Sequence, residues 1–123
     1  MIGEASERVD IHCGVGLELV AGQEGAAGEV GQGPAPLDLL LAGLGACTAM
    51  TLRRYAAARD WPLHGVEIDL SIVSRQRSKC VERIVSIQGP LGPDEREALL
   101  AAAEQSPVTL LLSAGLPIHT ELA

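Results

Sequence analysis

The sequence contains no phenylalanine, one tryptophan and one tyrosine, so that aromatic residues make up only 2% of its 123 residues. Proteins that bind single-stranded nucleic acid usually stack the bases on several aromatic side chains. A net charge of −7 also repels phosphate groups and anionic lipid surfaces. We therefore expect neither a nucleic-acid partner nor a membrane partner.

The sequence also lacks the clusters from which metal sites are built. It has no Cys-x-x-Cys motif, and His12, His64 and His119 are widely separated along the chain. We therefore expect no metal and no cofactor. The cysteines number three, and the first ten residues are polar and acidic, unlike a secretion signal. These features favour reduced thiols in the cytoplasm.

The composition, 47% hydrophobic and mostly aliphatic, predicts a single domain over residues 1–123. Apolar residues occupy every odd position from Val9 to Leu19, which predicts one strand, or two strands hinged near residues 14–16. Cys13 is on the apolar face of this segment, where a free cysteine is usually buried. Gly22–Gly33 has no periodicity and predicts a mobile loop.

The stretch from Pro34 to Asp60 predicts one long helix. It opens with prolines, which suit a helix entrance, and it stops before Trp61-Pro62 because the residue before a proline avoids helical geometry. No charged residue occurs from Leu39 to Leu52, so every side of this stretch should be covered by protein. We therefore predict a central buried helix, and we infer a homodimer in which a second copy helps to cover it.

The next segments predict a β-hairpin. Apolar and polar residues alternate over 66–72, residues 74–79 form a basic polar turn, and 81–88 is the partner strand. The core face of the second strand should carry Val81, Val85 and Ile87 and also Arg83. That arginine either snorkels or pairs with an acid such as Glu82 or Glu67, or it is a cation held over a buried site.

A second helix is predicted to open at Pro93, where acidic residues occupy the first turn. Its apolar stripe is predicted to be Leu99, Leu100 and Ala103. Ser106-Pro107 should end this helix or begin a short new helical turn. Residues 116–122 alternate and predict a closing strand, with His119 on its polar side. The short connections favour antiparallel strands and an α+β fold.

Cys47 is placed in the middle of the long helix among small residues. On residue types alone, it is either one more small buried residue or a nucleophile. Its own helix dipole acts mainly at the first turn, so activation would have to come from another element or from a second subunit. Cys80, at the mouth of the hairpin, is predicted to be more exposed than Cys13.

The stretch GPAPLDLLLAGLGACTAMTLRRYA resembles the hallmark segment of the OsmC/Ohr family, the osmotically induced and organic-hydroperoxide-resistance proteins. The similarity continues through Trp61-Pro62, the hairpin, residues 87–91 and the C-terminal AAAEQSPVTLLLSAGLPIHTEL. It implies an OsmC-like α+β fold, an antiparallel sheet with a long central helix and a second helix, in an intertwined homodimer. It also implies that Cys47 attacks a hydroperoxide and becomes a sulfenic acid, which thiols such as lipoylated proteins reduce.

The sequence departs from the family pattern at two places, and a third part of the pattern has no assigned residue. The second, resolving cysteine of a Cys-Pro-Val motif is replaced by Ser106, which could still donate a hydrogen bond to a Cys47 thiolate. The glutamate expected after Pro36 is Leu37, with Asp38 one place later and about 100° around the helix. The family's catalytic arginine comes from the N-terminal strands, where Arg8 is the only candidate.

These features lead to two hypotheses. In the first, Cys47 reduces organic hydroperoxides, Arg8 or Arg83 favours its thiolate, and an external thiol, or less directly Cys80 or Cys13, resolves the sulfenic acid. In the second, a non-catalytic dimer binds a small hydrophobic ligand near Cys47 or senses the redox state, which accounts for the missing resolving thiol.

Overall fold

The computed structural model describes residues 9–13, 17–21 and 35–123. The elements are two small antiparallel sheets and three helices, so the fold is α+β as predicted. In chain order they are β1 (Val9–Cys13), β2 (Leu17–Ala21), α1 (Pro36–Ala58), β3 (Gly65–Arg75), β4 (Ser78–Gln88), α2 (Pro93–Glu104) and α3 (Pro107–Ala114). The chain divides into two compact units, residues 1–42 and 43–123.

In the first unit, β1 and β2 pair in antiparallel register, with Val9 opposite Ala21 and Cys13 opposite Leu17. The prediction of two strands in this segment is therefore confirmed. The expected hinge at 14–16, the expected loop at 22–33 and the side chain of Cys13 lie outside the described residues.

The long helix predicted from the sequence is α1, and its end is set by an aspartate in the left-handed region. Asp60 has φ 56°, its N–H donates to Ala57 O, and the N–H of Trp61 donates to Ala56 O. This pair of hydrogen bonds is a Schellman motif. The indole of Trp61 meets the ring of Tyr55 edge-on at 5.7 Å, which supplies the apolar contact that accompanies the motif.

Within one copy of the chain, burial of α1 is confined to a stripe four residues apart, comprising Leu44, Thr48, Leu52 and Ala56. Outside this stripe, the large apolar side chains of Leu40 and Met50 are exposed, with 43% and 50% of their surface accessible. The expectation that a second copy helps to cover the remaining sides of α1 stays a prediction. No helix in the described residues is long and apolar enough to cross a membrane.

Strands β3 and β4 form the predicted hairpin, with Ile68 opposite Val85 and Arg75 opposite Ser78. Their turn is shorter than predicted and consists of Gln76 and Arg77, both at positive φ. Two successive residues in this region match the right-handed twist of the flanking strands. The strands therefore extend to the tip of the hairpin, and Cys80 is exposed as expected.

The core of the second unit lies where α1, α2 and the hairpin meet. Its buried members are Leu52, Ala56, Leu91, Leu99, Ala102 and Ala103. Val85 and Ile87 pack against it, which confirms their predicted orientation. Val81 is 39% and Leu100 52% exposed, so their assignment to the core is wrong. Val81 lies toward the tip of the hairpin, and Leu100 is on a different side of α2 from the buried Leu99 and Ala103.

The start of α2 is as predicted, with Pro93 in its first turn and Glu95 accepting a hydrogen bond from the backbone N–H of Gly92 at 2.8 Å. The predicted closing strand over 116–122 is wrong, since this segment has no regular structure, and Ile118 is 89% exposed. Alternation marks two faces, but a strand also needs a neighbour for its backbone hydrogen bonds. Within the described residues, β3 and β4 pair only with each other.

Replacing Asp60 with glycine should stabilise the protein. A glycine at positive φ avoids the steric cost of a Cβ atom, so we expect the free energy of unfolding of Asp60→Gly to rise by about 0.5–1 kcal/mol in urea titrations. The control is Asp69→Gly on the exposed face of β3, where glycine should be destabilising. A loss of stability in Asp60→Gly would contradict the assigned Schellman geometry.

Candidate active site

Arg83 is the centre of a polar cluster in the second unit. The odd positions of β4 face the helices, and Arg83 is therefore nearly buried, with 11% of its side chain exposed. Its Nη1 donates to Thr48 Oγ1 at 2.9 Å and to Thr109 Oγ1 at 2.8 Å. One guanidinium nitrogen thus connects β4 to both α1 and α3.

The second terminal nitrogen of Arg83 is directed at the end of α2. Nη2 donates to Glu104 Oε2 at 3.2 Å and to the carbonyl oxygen of Ala103 at 3.5 Å. Pairing with Glu82 or Glu67, one of the alternatives predicted from the sequence, is not observed. Glu82 pairs with Arg75 at 2.7 Å, and Glu67 is exposed, because both acids lie on the opposite side of the hairpin from Arg83.

Cys47 is a free, half-buried thiol that faces the beginning of α3. The backbone N–H of Val108 donates to Cys47 Sγ, with 3.5 Å between nitrogen and sulfur. Val108 is in the first turn of α3, where backbone N–H groups have no acceptor within the helix. The positive end of the α3 dipole therefore faces the sulfur, which the middle of α1 could not provide by itself.

Ser106 is fully buried, but it does not make the predicted hydrogen bond to Cys47. Its hydroxyl lies 2.6 Å from Thr109 Oγ1, and the N–H of Val108 takes the position at the sulfur instead. The reason is the turn that begins α3, which directs the Ser106 side chain along the helix to the residue three places on. Ser106 is accordingly the N-cap residue of α3 without a side-chain capping bond.

The remaining candidate residues were Arg8 and the scattered histidines. Arg8 lies outside the described residues, so its assignment stays a prediction. His64 is exposed, and His119 is exposed and bonded to Glu121 at 3.0 Å. In the part of the chain that the structure describes, no group of His, Cys, Asp and Glu side chains lies together as metal ligands would.

Sequence reasoning missed the two threonines that hold Arg83. Thr48 is fully buried, accepts from Arg83 and donates to the carbonyl oxygen of Leu44 at 2.7 Å. The sequence held one signal of this role: Thr48 follows Cys47 and lies four residues after Leu44, so it shares a helix face with an apolar residue. Nothing in the sequence around Thr109 showed that α3 would turn it toward Arg83.

Residues 28–121 match the family of OsmC-like proteins. The chain belongs to the OsmC family. In this OsmC-family chain the Ser106-Pro107-Val108 segment begins α3. Of the two alternatives predicted for Ser106-Pro107, the start of a new helical segment is therefore the one observed.

Solved structures show the OsmC-like fold of the chain. An osmotic-stress-induced and detoxification-response protein from Psychrobacter arcticus 273-4 is 19% identical, with a TM-score of 0.62 over 89% of this chain and 82% of its own. An OsmC-like protein from Mycoplasma pneumoniae is 16% identical, with a TM-score of 0.66 over 82% of this chain and 76% of its own. An organic hydroperoxide resistance protein OsmC from Legionella pneumophila is 22% identical, with a TM-score of 0.51 over 85% of this chain and 88% of its own. No curated protein sequence matches the chain significantly.

Replacing Arg83 should destabilise the second unit. Arg83→Met keeps the apolar stem and removes a nearly buried network of charged hydrogen bonds, so we expect the free energy of unfolding to fall by about 2 kcal/mol. Arg75→Met is the matched control on the same hairpin, because Arg75 forms an exposed ion pair that should contribute less than about 1 kcal/mol. Equal losses in urea titrations of both variants would contradict the structural role of Arg83.

Proposed function

We propose that this OsmC-family protein reduces organic hydroperoxides, with Cys47 as the nucleophile and an external thiol as the reductant. The observation that supports this proposal best is the contact of Cys47 Sγ with the N–H of Val108. Thiolates are favoured at the N-termini of helices because backbone N–H groups and the helix dipole stabilise negative charge. One protein of the same fold is named an organic hydroperoxide resistance protein.

Arg83 supplies the positive charge in this proposal. A guanidinium stays charged at any physiological pH. Its Nη1 is bonded to Thr48, the residue after Cys47, and to Thr109, the residue after Val108. The charge therefore lies beside the contact between α1 and α3, where it can attract negative charge that develops on the sulfur during the reaction, while Glu104 offsets part of it from the solvent side. Arg8 stays the alternative cation.

The proposed reaction needs only the thiolate, the hydroperoxide and two reducing equivalents. Cys47 Sγ attacks the terminal peroxide oxygen, the O–O bond breaks, and the alkoxide takes a proton and leaves as an alcohol. The resulting sulfenic acid condenses with an external thiol and releases water, and a second thiol then frees Cys47 from the mixed disulfide. Because position 106 is serine, the proposal assigns both thiols to an external reductant, for instance a lipoylated protein in a cytoplasm-like compartment, with Cys80 and Cys13 as the alternative resolving thiols.

The variant Cys47→Ser should abolish consumption of cumene hydroperoxide in the presence of a dithiol such as dihydrolipoamide, because an alcohol at this position is not a thiolate nucleophile. Loss of peroxide is followed with a colorimetric hydroperoxide assay. Cys80→Ser, which removes an exposed thiol of β4, should keep the wild-type rate. If the wild-type protein and Cys47→Ser consume the peroxide equally fast, the proposed reaction is wrong.

A second candidate function is a redox sensor or a ligand-binding dimer without turnover. The burial of the Ser106 hydroxyl against Thr109 favours it, since the position of the missing resolving thiol is fully used by a structural hydrogen bond. Mass spectrometry after one equivalent of hydroperoxide separates the candidates. A dimer that only binds a ligand keeps its reduced mass, a sensor is oxidised without sustained consumption of hydroperoxide, and the proposed enzyme is oxidised and then returned to the reduced mass through repeated turnovers when dithiol is present.

We also propose that the protein is a homodimer in which a second copy covers the exposed side of α1. The exposed apolar residues Leu40 and Met50 support this proposal. Gly43 supports it too, because an added Cβ there would meet no atom of the described residues within 4 Å. Apolar side chains presented along one helix favour burial against a similar surface.

The dimer proposal predicts that Met50→Glu lowers the dimer fraction. Burying an unpaired carboxylate in an apolar interface costs several kcal/mol, so we expect a monomer at micromolar concentration. Sedimentation velocity provides the measurement, and Glu67→Ala on the exposed face of β3 serves as the control. A wild-type protein that sediments as a monomer would rule out the dimer.

A further inference from the structure

After Arg83 itself, Thr109 has the most contacts of any side chain in the polar cluster. Its Oγ1 accepts a hydrogen bond from Arg83 Nη1 at 2.8 Å. The same oxygen lies 2.6 Å from Ser106 Oγ and 3.3 Å from the carbonyl oxygen of Ala103. The hydroxyl of Thr109 thus contacts β4, the end of α2 and Ser106, the N-cap residue of α3.

The hydroxyl protons of this cluster have one arrangement in which each finds an acceptor. Thr48 donates to the carbonyl oxygen of Leu44 and so offers a lone pair to Arg83. Thr109 has a single proton, and if it donates to Ala103, Ser106 can donate to Thr109. With the reverse direction between Ser106 and Thr109, the Ser106 proton has no acceptor among the contacts of the described residues. A hydroxyl carries one donor and two acceptor sites, and Thr109 then uses all three.

Both protons of Arg83 Nη1 are consequently taken by the two threonine oxygens. The guanidinium cannot turn toward solvent without leaving these bonds, and its remaining ionic partner, Glu104, is 69% exposed. The position of the cation beside α1 and α3 therefore depends on neutral hydroxyl groups more than on an ion pair, since exposed ion pairs contribute little.

We propose that Thr109 is a positioning residue, which holds the guanidinium of Arg83 beside the contact between Cys47 and Val108 and thereby sets the reactivity of Cys47. Thr48 holds the same nitrogen from α1. This inference rests on the proposed role of Cys47 as a thiolate nucleophile. The hydroxyl is the group required, because valine has the shape of threonine but cannot accept the hydrogen bond from Arg83.

The test compares Thr109→Val and Thr109→Ser in a Cys13→Ser/Cys80→Ser background, where Cys47 is the only thiol. Alkylation by iodoacetamide is measured against pH. In Thr109→Val we expect the pH of half-maximal alkylation to rise and the rate at neutral pH to fall about two- to tenfold, the equivalent of one hydrogen bond. Thr109→Ser should restore the rate to within about twofold, because it keeps the hydroxyl. The exposed Thr120→Val is the control and should match the parent.

A double-mutant cycle with Arg83→Met gives the second measurement. If Thr109 acts through Arg83, Thr109→Val should cause no further change in the pH dependence once Arg83 is absent. Thr48→Val, which removes the other acceptor of the same nitrogen, should shift the pH dependence in the same direction as Thr109→Val. It provides the measurement if Thr109→Val does not give a cooperative melting transition.

Three outcomes would overturn the inference. They are an unchanged pH dependence in Thr109→Val, a shift that Thr109→Ser does not reverse, and a full shift that persists in the Arg83→Met background. The proposed reaction is judged separately by peroxide consumption. A shifted alkylation profile in a protein that consumes no hydroperoxide would support the role of Thr109 while refuting the reaction.

Discussion

A guanidinium that is almost removed from water must be given acceptors for its N–H groups, and this requirement organises the second unit of the protein. Arg83 obtains hydroxyl oxygens from α1 and α3 and oxygens from the end of α2. An unpaired buried charge is costly, so displacement of any one helix would leave a donor without a partner. The three helices are therefore coupled through a single side chain of β4, and the environment of Cys47 is part of that coupling.

Much of the fold could be predicted because its signals are local. The alternation on both strands of the hairpin, and the stop at Asp60, depend on residues that are neighbours in sequence. The errors concern contacts between distant segments. Residues 116–122 alternate as a strand does, yet a strand exists only where another backbone can pair with it. Leu100 has the right residue type for the core, but its position around α2 takes it away from the hairpin.

Individual residues of the candidate site could be predicted from the sequence, but the contacts between them could not. The OsmC-family resemblance pointed to Cys47, and the alternation of β4 put Arg83 on the inner face. The approach of α3 to α1 could not be deduced, because it depends on how Ser106 and Pro107 turn the chain after α2. That turn makes a backbone N–H, rather than the Ser106 hydroxyl, the donor to the sulfur. A backbone group has no signature in a sequence, and Arg8 stays a prediction.

The close approach of α1 to β3 at Gly45 helps to fix the position of Cys47 Sγ. A Cβ atom at this position would lie 3.0 Å from Leu70 Cδ1, closer than ordinary van der Waals contact. An added methyl group would therefore push the helix axis away from the strand by a few tenths of an ångström or displace the leucine. Cys47 is only two residues further along a rigid helix, so it would be carried with the axis. A glycine at position 45 therefore helps to determine the distance between Cys47 Sγ and the backbone nitrogen of Val108, although it touches neither atom.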